Sequence, residues 1–179
     1  MPRYIAFLRA INVGGHVVRM DLLRGLFEAL PFANVETFIA SGNVIFESIA
    51  GNTAGLEARI EERLAEALGY EVAAFLRTDD EVTAIARYQP FRDEFVTKAG
   101  AFVVGFLHKP LDKSAEKVLR GFKSDIDDFH LHNREIYWLC KKRQSESKFS
   151  NAAFEKALHS RSTFRGMNTI KNLAKKLGK

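Results

Sequence analysis

Residues Tyr4 to Gly15 read YIAFLRAINVGG, and residues Phe38 to Phe46 read FIASGNVIF. Each stretch is an apolar run of strand length broken by Gly and Asn. The first runs into Asn12, Val13, Gly14 and Gly15; the second is interrupted by Ser41, Gly42 and Asn43. Short apolar runs closed by turn-forming residues read as buried strands joined by turns.

Working outward, the first strand spans about Tyr4 to Ile11 and the loop Asn12 to Arg19 follows. Residues Met20 to Leu30 place Leu22, Leu23, Leu26, Phe27 and Leu30 at helical spacing, with Asp21 in the first turn and Pro31 as the stop. Val35–Ala40 and Val44–Glu47 form a hairpin across Ser41-Gly42-Asn43. A helix over Leu56–Leu68 carries Leu56, Ile60, Leu64 and Leu68 on one face and stops at Gly69. Glu71–Arg77 is the fourth strand. Thr78 and Glu81 have the spacing of a capping box and open a helix running to about Tyr88. Pro90 to Gly100 shows no period and reads as the boundary between a subdomain at 1–89 and one at 90–179.

The element order then returns. Ala101–Lys109 is a strand and Ser114–Phe122 a helix. Asp128–Leu131 and Ile136–Lys141 form a hairpin turning near Asn133. Phe149–Leu158 is a helix, Thr163–Arg165 a strand and Met167–Leu177 a terminal helix. No residue-level repeat accompanies this return, so structural duplication is expected from element order alone. The fold class expected is α+β: two ferredoxin-like subdomains, each a βαββαβ α-β plait.

The chain has 179 residues, 46% of them hydrophobic and 27% charged, which suits a packed core with a solvated surface. No apolar run approaches the roughly 20 residues of a spanning helix, and the N-terminus has no leader pattern, so no membrane association is expected. A single cysteine, Cys140, excludes an internal disulfide framework and a multi-cysteine metal site. A buried thiol and a cytoplasmic location are expected. The net charge of +5 is uneven: residues 134–179 hold 12 Lys and Arg against 3 Asp and Glu. That basic segment reads either as a solvated helical surface or as a face for polyanions.

The plait has a consequence for function. Its first and third strands are antiparallel neighbours, so Arg9–Asn12 is expected beside Asn43. That clusters a guanidinium, two carboxamides, a hydroxyl and three glycines. Arg presents a planar fork of donors and Gly lets a ligand approach the backbone, which suits an anion. The competing reading is a set of turns with positive φ and an Arg9 paired to an internal carboxylate such as Asp21.

Other chemistry finds less support. No Walker loop or dinucleotide fingerprint surrounds Gly14-Gly15, and no Ser-His-Asp set or nucleophile elbow is present. His16, His108, His130, His132 and His159 are dispersed; His130 and His132 share a strand face at metal-compatible spacing but lack a third ligand, so no metal is expected. Tyr4, Phe7, Phe38 and Phe46 are available for RNA stacking, yet the RNP1 pattern is absent and the strands are apolar on both faces.

The quoted motifs LRAINVGG (Leu8–Gly15), Met20-Asp21-Leu22, TFIASGNVIF (Thr37–Phe46), Ser147-Lys148 and TFRGMNTIKNL (Thr163–Leu173) resemble, in this order, the bacterial family called domain of unknown function 1697. The resemblance implies paired α-β plait subdomains and brings no established activity. The family usually has Arg-Gly-Ile-Asn at Arg9–Asn12, Tyr and Gln at Phe38 and Ala40, and Arg-Asn-Trp-Asn at Arg165–Asn168. Loss of that tryptophan alters any stacking it provides.

The expectation is a small binding protein for a phosphate-bearing ligand, nucleotide or nucleic acid, seated between the subdomains. Arg9, Asn12, Gly14, Gly15, Ser41 and Asn43 come from the first half, and Lys148, Arg165 and Asn168 from the second. Arg9, Lys148 and Arg165 supply charge, the glycines backbone donors, and the asparagines orientation. No cofactor is expected, no catalytic residue is assigned, and the oligomeric state is open. Two rivals stand beside this reading. One is an enzyme using the same residues with Asp21 or His16 as base. The other is a structural module whose motifs stitch the fold while function lies with a protein partner.

Overall fold

The computed structural model describes residues 1–12 and 14–178. It divides into two compact units, Met1–Ala84 with Leu173–Lys179, and Ile85–Asn172.

The first unit runs β1 (Arg3–Leu8), α1 (Met20–Glu28), β2 (Ala33–Phe38), β3 (Asn43–Glu47), α2 (Thr53–Leu68) and β4 (Ala74–Thr78). Its antiparallel sheet has the order β2-β3-β1-β4. Successive strand residues face opposite ways. Tyr4, Ala6, Leu8, Val44, Phe46 and Leu76 therefore bury against Leu23, Leu26 and Phe27 of α1 and Leu56, Ile60 and Leu64 of α2. Each Val, Leu, Ile or Phe among them, fully withdrawn from water, contributes about 1.5–3 kcal/mol before ordering costs. The other face is equally dry, with Ile5, Phe7, Phe75 and Arg77 at 0% exposure. A base-stacking platform is thereby excluded at Tyr4, Phe7 and Phe46, all below 5% exposed.

Helix ends follow local chemistry. The Asn52 side chain accepts from Gly55 N to open α2, one turn earlier than the leucine spacing predicts. Gly69 closes it at φ +78°, its N–H on Ala65 O. The Thr78–Glu81 capping box is formed, with Thr78 N donating to Glu81 Oε2 at 2.8 Å and Glu81 N to Thr78 Oγ1 at 3.2 Å. It opens α3 (Asp79–Arg87).

Pro90–Gly100, expected to be irregular, holds α4 (Asp93–Lys98), a helix too short for its period to show in sequence. The second unit continues with β5 (Ala101–Phe106), α5 (Lys113–Arg120), β6 (Asp127–His132), β7 (Glu135–Cys140), α6 (Asn151–Leu158), β8 (Thr163–Gly166) and the start of α7 (Met167–Lys176), whose residues from Leu173 onward belong to the first unit. A 3₁₀ turn at Gln144–Glu146 precedes α6 and has no counterpart in the sequence reading. The sheet order is β6-β7-β5-β8. Trp138, Phe149, Phe154 and Phe164 meet edge to face under α5 and α6, so this core is aromatic where the first is largely aliphatic. Each unit is an α-β plait.

Candidate functional site

The first strand ends at Leu8, not Ile11, because Ala10 (φ +67°) and Asn12 (φ +55°) turn the backbone through the left-handed region. Leu8 N donates to Gly42 O and Arg9 N to Ala73 O, both at 2.9 Å. The β1–α1 loop and the Ser41-Gly42-Asn43 turn meet closely: a Cβ on Gly42 would stand 2.9 Å from Ile11 Cβ. At φ +81° that position needs glycine on two counts.

Both carboxamides hold backbone. Asn12 donates through Nδ2 to Ala40 O and accepts Val18 N at Oδ1, each at 2.7 Å. One side chain thus ties the loop to the β2–β3 turn and fixes the loop's return toward α1. Asn43 is 0% exposed and donates to Phe38 O at 3.0 Å and Ser41 Oγ at 2.9 Å. Neither points an uncommitted amide at solvent.

Gly14 and Gly15 are exposed, at φ +58° and +85°, with open space where a Cβ would stand. Their N–H groups donate to no other described residue. Val13 of the same motif lies outside the described residues. Arg9 is half-buried at the start of the loop. His16 stacks on Tyr70, ring centroids 3.8 Å apart and planes 23° off parallel. Burial raises the Tyr70 phenol above its ordinary value, and its hydroxyl has no hydrogen-bond partner among the described residues. Sequence reading missed Tyr70 because nothing local marks a ring that reaches a loop more than fifty residues earlier.

In the second unit Arg165 is 8% exposed and donates to Thr163 Oγ1 at 2.7 Å and Phe164 O at 2.9 Å. Burial lowers its pKa to about 10. Its guanidinium is therefore withdrawn from water. Lys148 and Asn168 are exposed, on the segment before α6 and at the second position of α7.

Ser147, beside Lys148, donates to Asp127 Oδ2 at 2.7 Å. The same carboxylate takes Trp138 Nε1 at 2.8 Å and Ser124 Oγ at 3.1 Å. Asp127 is 3% exposed, so this is an internal anchor holding the segment after β7 to the aromatic core. The bases named for an enzyme are also engaged: Asp21 pairs with Arg19 at 2.9 Å and His16 with the Tyr70 ring.

His130 and His132 do share a face, and Tyr88 joins them. Tyr88 Oη lies 2.7 Å from His130 Nε2, and its ring stacks on His132 at 4.1 Å. Burial, then the neighbouring His132, lowers the His130 pKa against an opposing pull from Asp128. No group of three metal-ligating side chains occurs among the described residues. Cys140 is buried and its thiol is pushed up by desolvation, which makes it an inert packing group. No described helix is long and apolar enough to cross a membrane.

A family model described as "Protein of unknown function (DUF1697)" matches residues 1–137. The chain belongs to that family. No curated protein matches it. Among solved structures it is similar to the conserved bacterial protein SP0830 from Streptococcus pneumoniae, at 22% identity and a TM-score of 0.75, over 100% of this chain and 99% of that one. At that identity the likeness speaks for the fold alone.

Proposed function

We propose that this member of the DUF1697 family is a cytoplasmic binding protein for a phosphate-bearing ligand, a nucleotide or a nucleic acid, received at the loop between β1 and α1. The observation that carries the reading is the exposed pair Gly14 and Gly15. Both have left-handed backbones, and their amides have no partner among the described residues. Asn12 holds the loop from both sides, so donors are presented by a braced segment, which lowers the ordering cost of binding. Arg9 supplies the positive charge at its base. The His16–Tyr70 stack offers a planar surface next to the glycines, of the kind a nucleobase covers. Ser41 and Asn43 act as framework in this reading, and Lys148, Arg165 and Asn168 lie outside the loop.

The test is a titration of the full chain with mononucleotides and short oligonucleotides at low salt. Binding is expected to weaken as salt rises and to fall about tenfold or more in Arg9→Ala, as loss of a charge-assisted contact requires. No binding to any member of the panel at low salt would falsify the reading.

The carboxamide bonds favour a second reading, in which the motifs serve the fold alone and function lies with a protein partner. Under it, Asn12→Ala costs about 1–3 kcal/mol of stability by stranding Ala40 O and Val18 N, and Arg9→Ala has no ligand phenotype.

A further inference from the structure

The second unit contains a cavity of about 440 Å³ apart from the β1–α1 loop. It arises from strand alternation. Ile136, Trp138 and Cys140 point into the aromatic core, so Leu139 points out on the opposite face of β7. The segment before β5 folds back over that face. Phe91 packs edge-on against Phe102, ring centroids 5.7 Å apart, and Phe95 rides on α4 at 50% exposure. Phe91, Phe95, Leu139 and Ile126 make the apolar lining. A volume of this size is within the range of small-molecule pockets.

The charged groups around it decide what fits. Lys123 is paired with Asp128 at 3.4 Å, and the Asp127 carboxylate is saturated by Trp138, Ser124 and Ser147. Lys98 and Lys141 have no ion pair with any described residue; of the lining carboxylates Asp125 and Asp127 remain without an ion pair to Lys123, and Asp127 is held inward by its three neutral donors. An exposed phenylalanine beside an apolar floor, under two unpaired ammonium groups, is a surface that water solvates poorly and an amphiphile solvates well.

The geometry points to a binding site for a small amphiphilic anion: a flat apolar body lying on Leu139 between Phe91 and Phe95, with a carboxylate or comparable group reaching Lys98 and Lys141. The phenylalanines give affinity through area removed from water, and the lysines select the charged end. This site needs no phosphate and stands apart from the loop reading.

Two fluorescent probes separate the contributions: anilinonaphthalene sulfonate and its uncharged parent, N-phenylnaphthylamine. Each is titrated into the full chain at low salt. Both are expected to bind at one site per chain. Replacing both lysines, Lys98→Gln with Lys141→Gln, weakens the sulfonate about tenfold and leaves the parent within about twofold. Phe95→Ala weakens both about tenfold. Absence of binding, equal loss of the two probes on removing the lysines, or unchanged binding in Phe95→Ala overturns the proposal. Far-UV circular dichroism monitors the fold of each variant, and if Phe95→Ala unfolds, the two-lysine variant decides alone.

Discussion

The two plaits share a framework residue by residue and differ in what they hang on it. Leu8 N reaches Gly42 O in one, and Leu107 N reaches Arg134 O in the other, both completing the first strand against the residue before the third. With those leucines aligned, Ile5 faces Arg77 and Val104 faces Arg165 across the fourth strand. Each arginine is buried and donates to the carbonyl of its own preceding residue, Leu76 at 2.8 Å and Phe164 at 2.9 Å. Glu61 accepts Ala74 N and Glu155 accepts Ser162 N, so in each unit a second-helix glutamate closes the open edge of the fourth strand. Both units thus make these contacts at matching places in the same strand order.

Two differences bear on the core and on the first loop. On the core face Ala6 lies opposite Leu76 where Gly105 lies opposite Phe164, a small-large exchange that keeps volume and turns the second core aromatic. The first loop spans residues 9–19 in one unit and 107–112 in the other. Scaffold is repeated and the first loop is enlarged, which is where function accumulates on rigid folds.

If the arginines are equivalent, Arg77→Ala and Arg165→Ala should destabilise alike, by about 3–5 kcal/mol each in urea unfolding, as removal of one member of a buried polar set does. A large loss in one and less than about 1 kcal/mol in the other breaks the equivalence. Next in size is Gly105→Ala. Its Cβ would lie 2.5 Å from Phe164 Cε1, a ring packed against Trp138, Phe149 and Phe154, and the expected cost is about 2–3 kcal/mol.

Much of this framework was legible. The strand–helix order, the Thr78–Glu81 box and the Gly69 stop are local, and each is where sequence placed it. What was hidden is nonlocal. Arg9 drew attention as a charge in an apolar run, whereas Arg77, ending AAFLR, is the fully buried one; the apolar runs pointed to a sheet covered on both faces but not to which charge lies beneath the cover. The carboxamide of Asn12 read as a ligand group because its carbonyl partner, Ala40, lies on another segment; that of Asn43 did so although Phe38 O and Ser41 Oγ stand in its own turn. Tyr70 and Tyr88 reach their histidines across loops no spacing rule spans, and α4 is too short to show a period.

The edge glutamates sharpen the comparison further. Glu61→Ala and Glu155→Ala each expose one strand amide and should cost about 1.5–2 kcal/mol, equal within error in the same unfolding assay. The smallest effect separates the units by pH. His130, with no counterpart in the first sheet, has its folded pKa below the ordinary 6.5. Its contribution is fully present above that value and is lost as pH falls through the folded pKa, because the unfolded chain then binds the proton more readily. The groups facing it are Tyr88, Tyr137, His132 and Asp128. The melting temperature is expected to drop on acidification below about 6.5, and less so in His130→Gln.

The enlarged loop is tested most directly by the amide resonances of Gly14 and Gly15 in a nitrogen–proton correlation spectrum, recorded while a nucleoside triphosphate is added at low salt. Saturable shifts of those two amides and of His16, reversed by added salt and missing in Arg9→Ala, are the predicted result. If the glycine amides stay in place at saturating nucleotide, the loop is framework and the ligand reading of this fold is wrong.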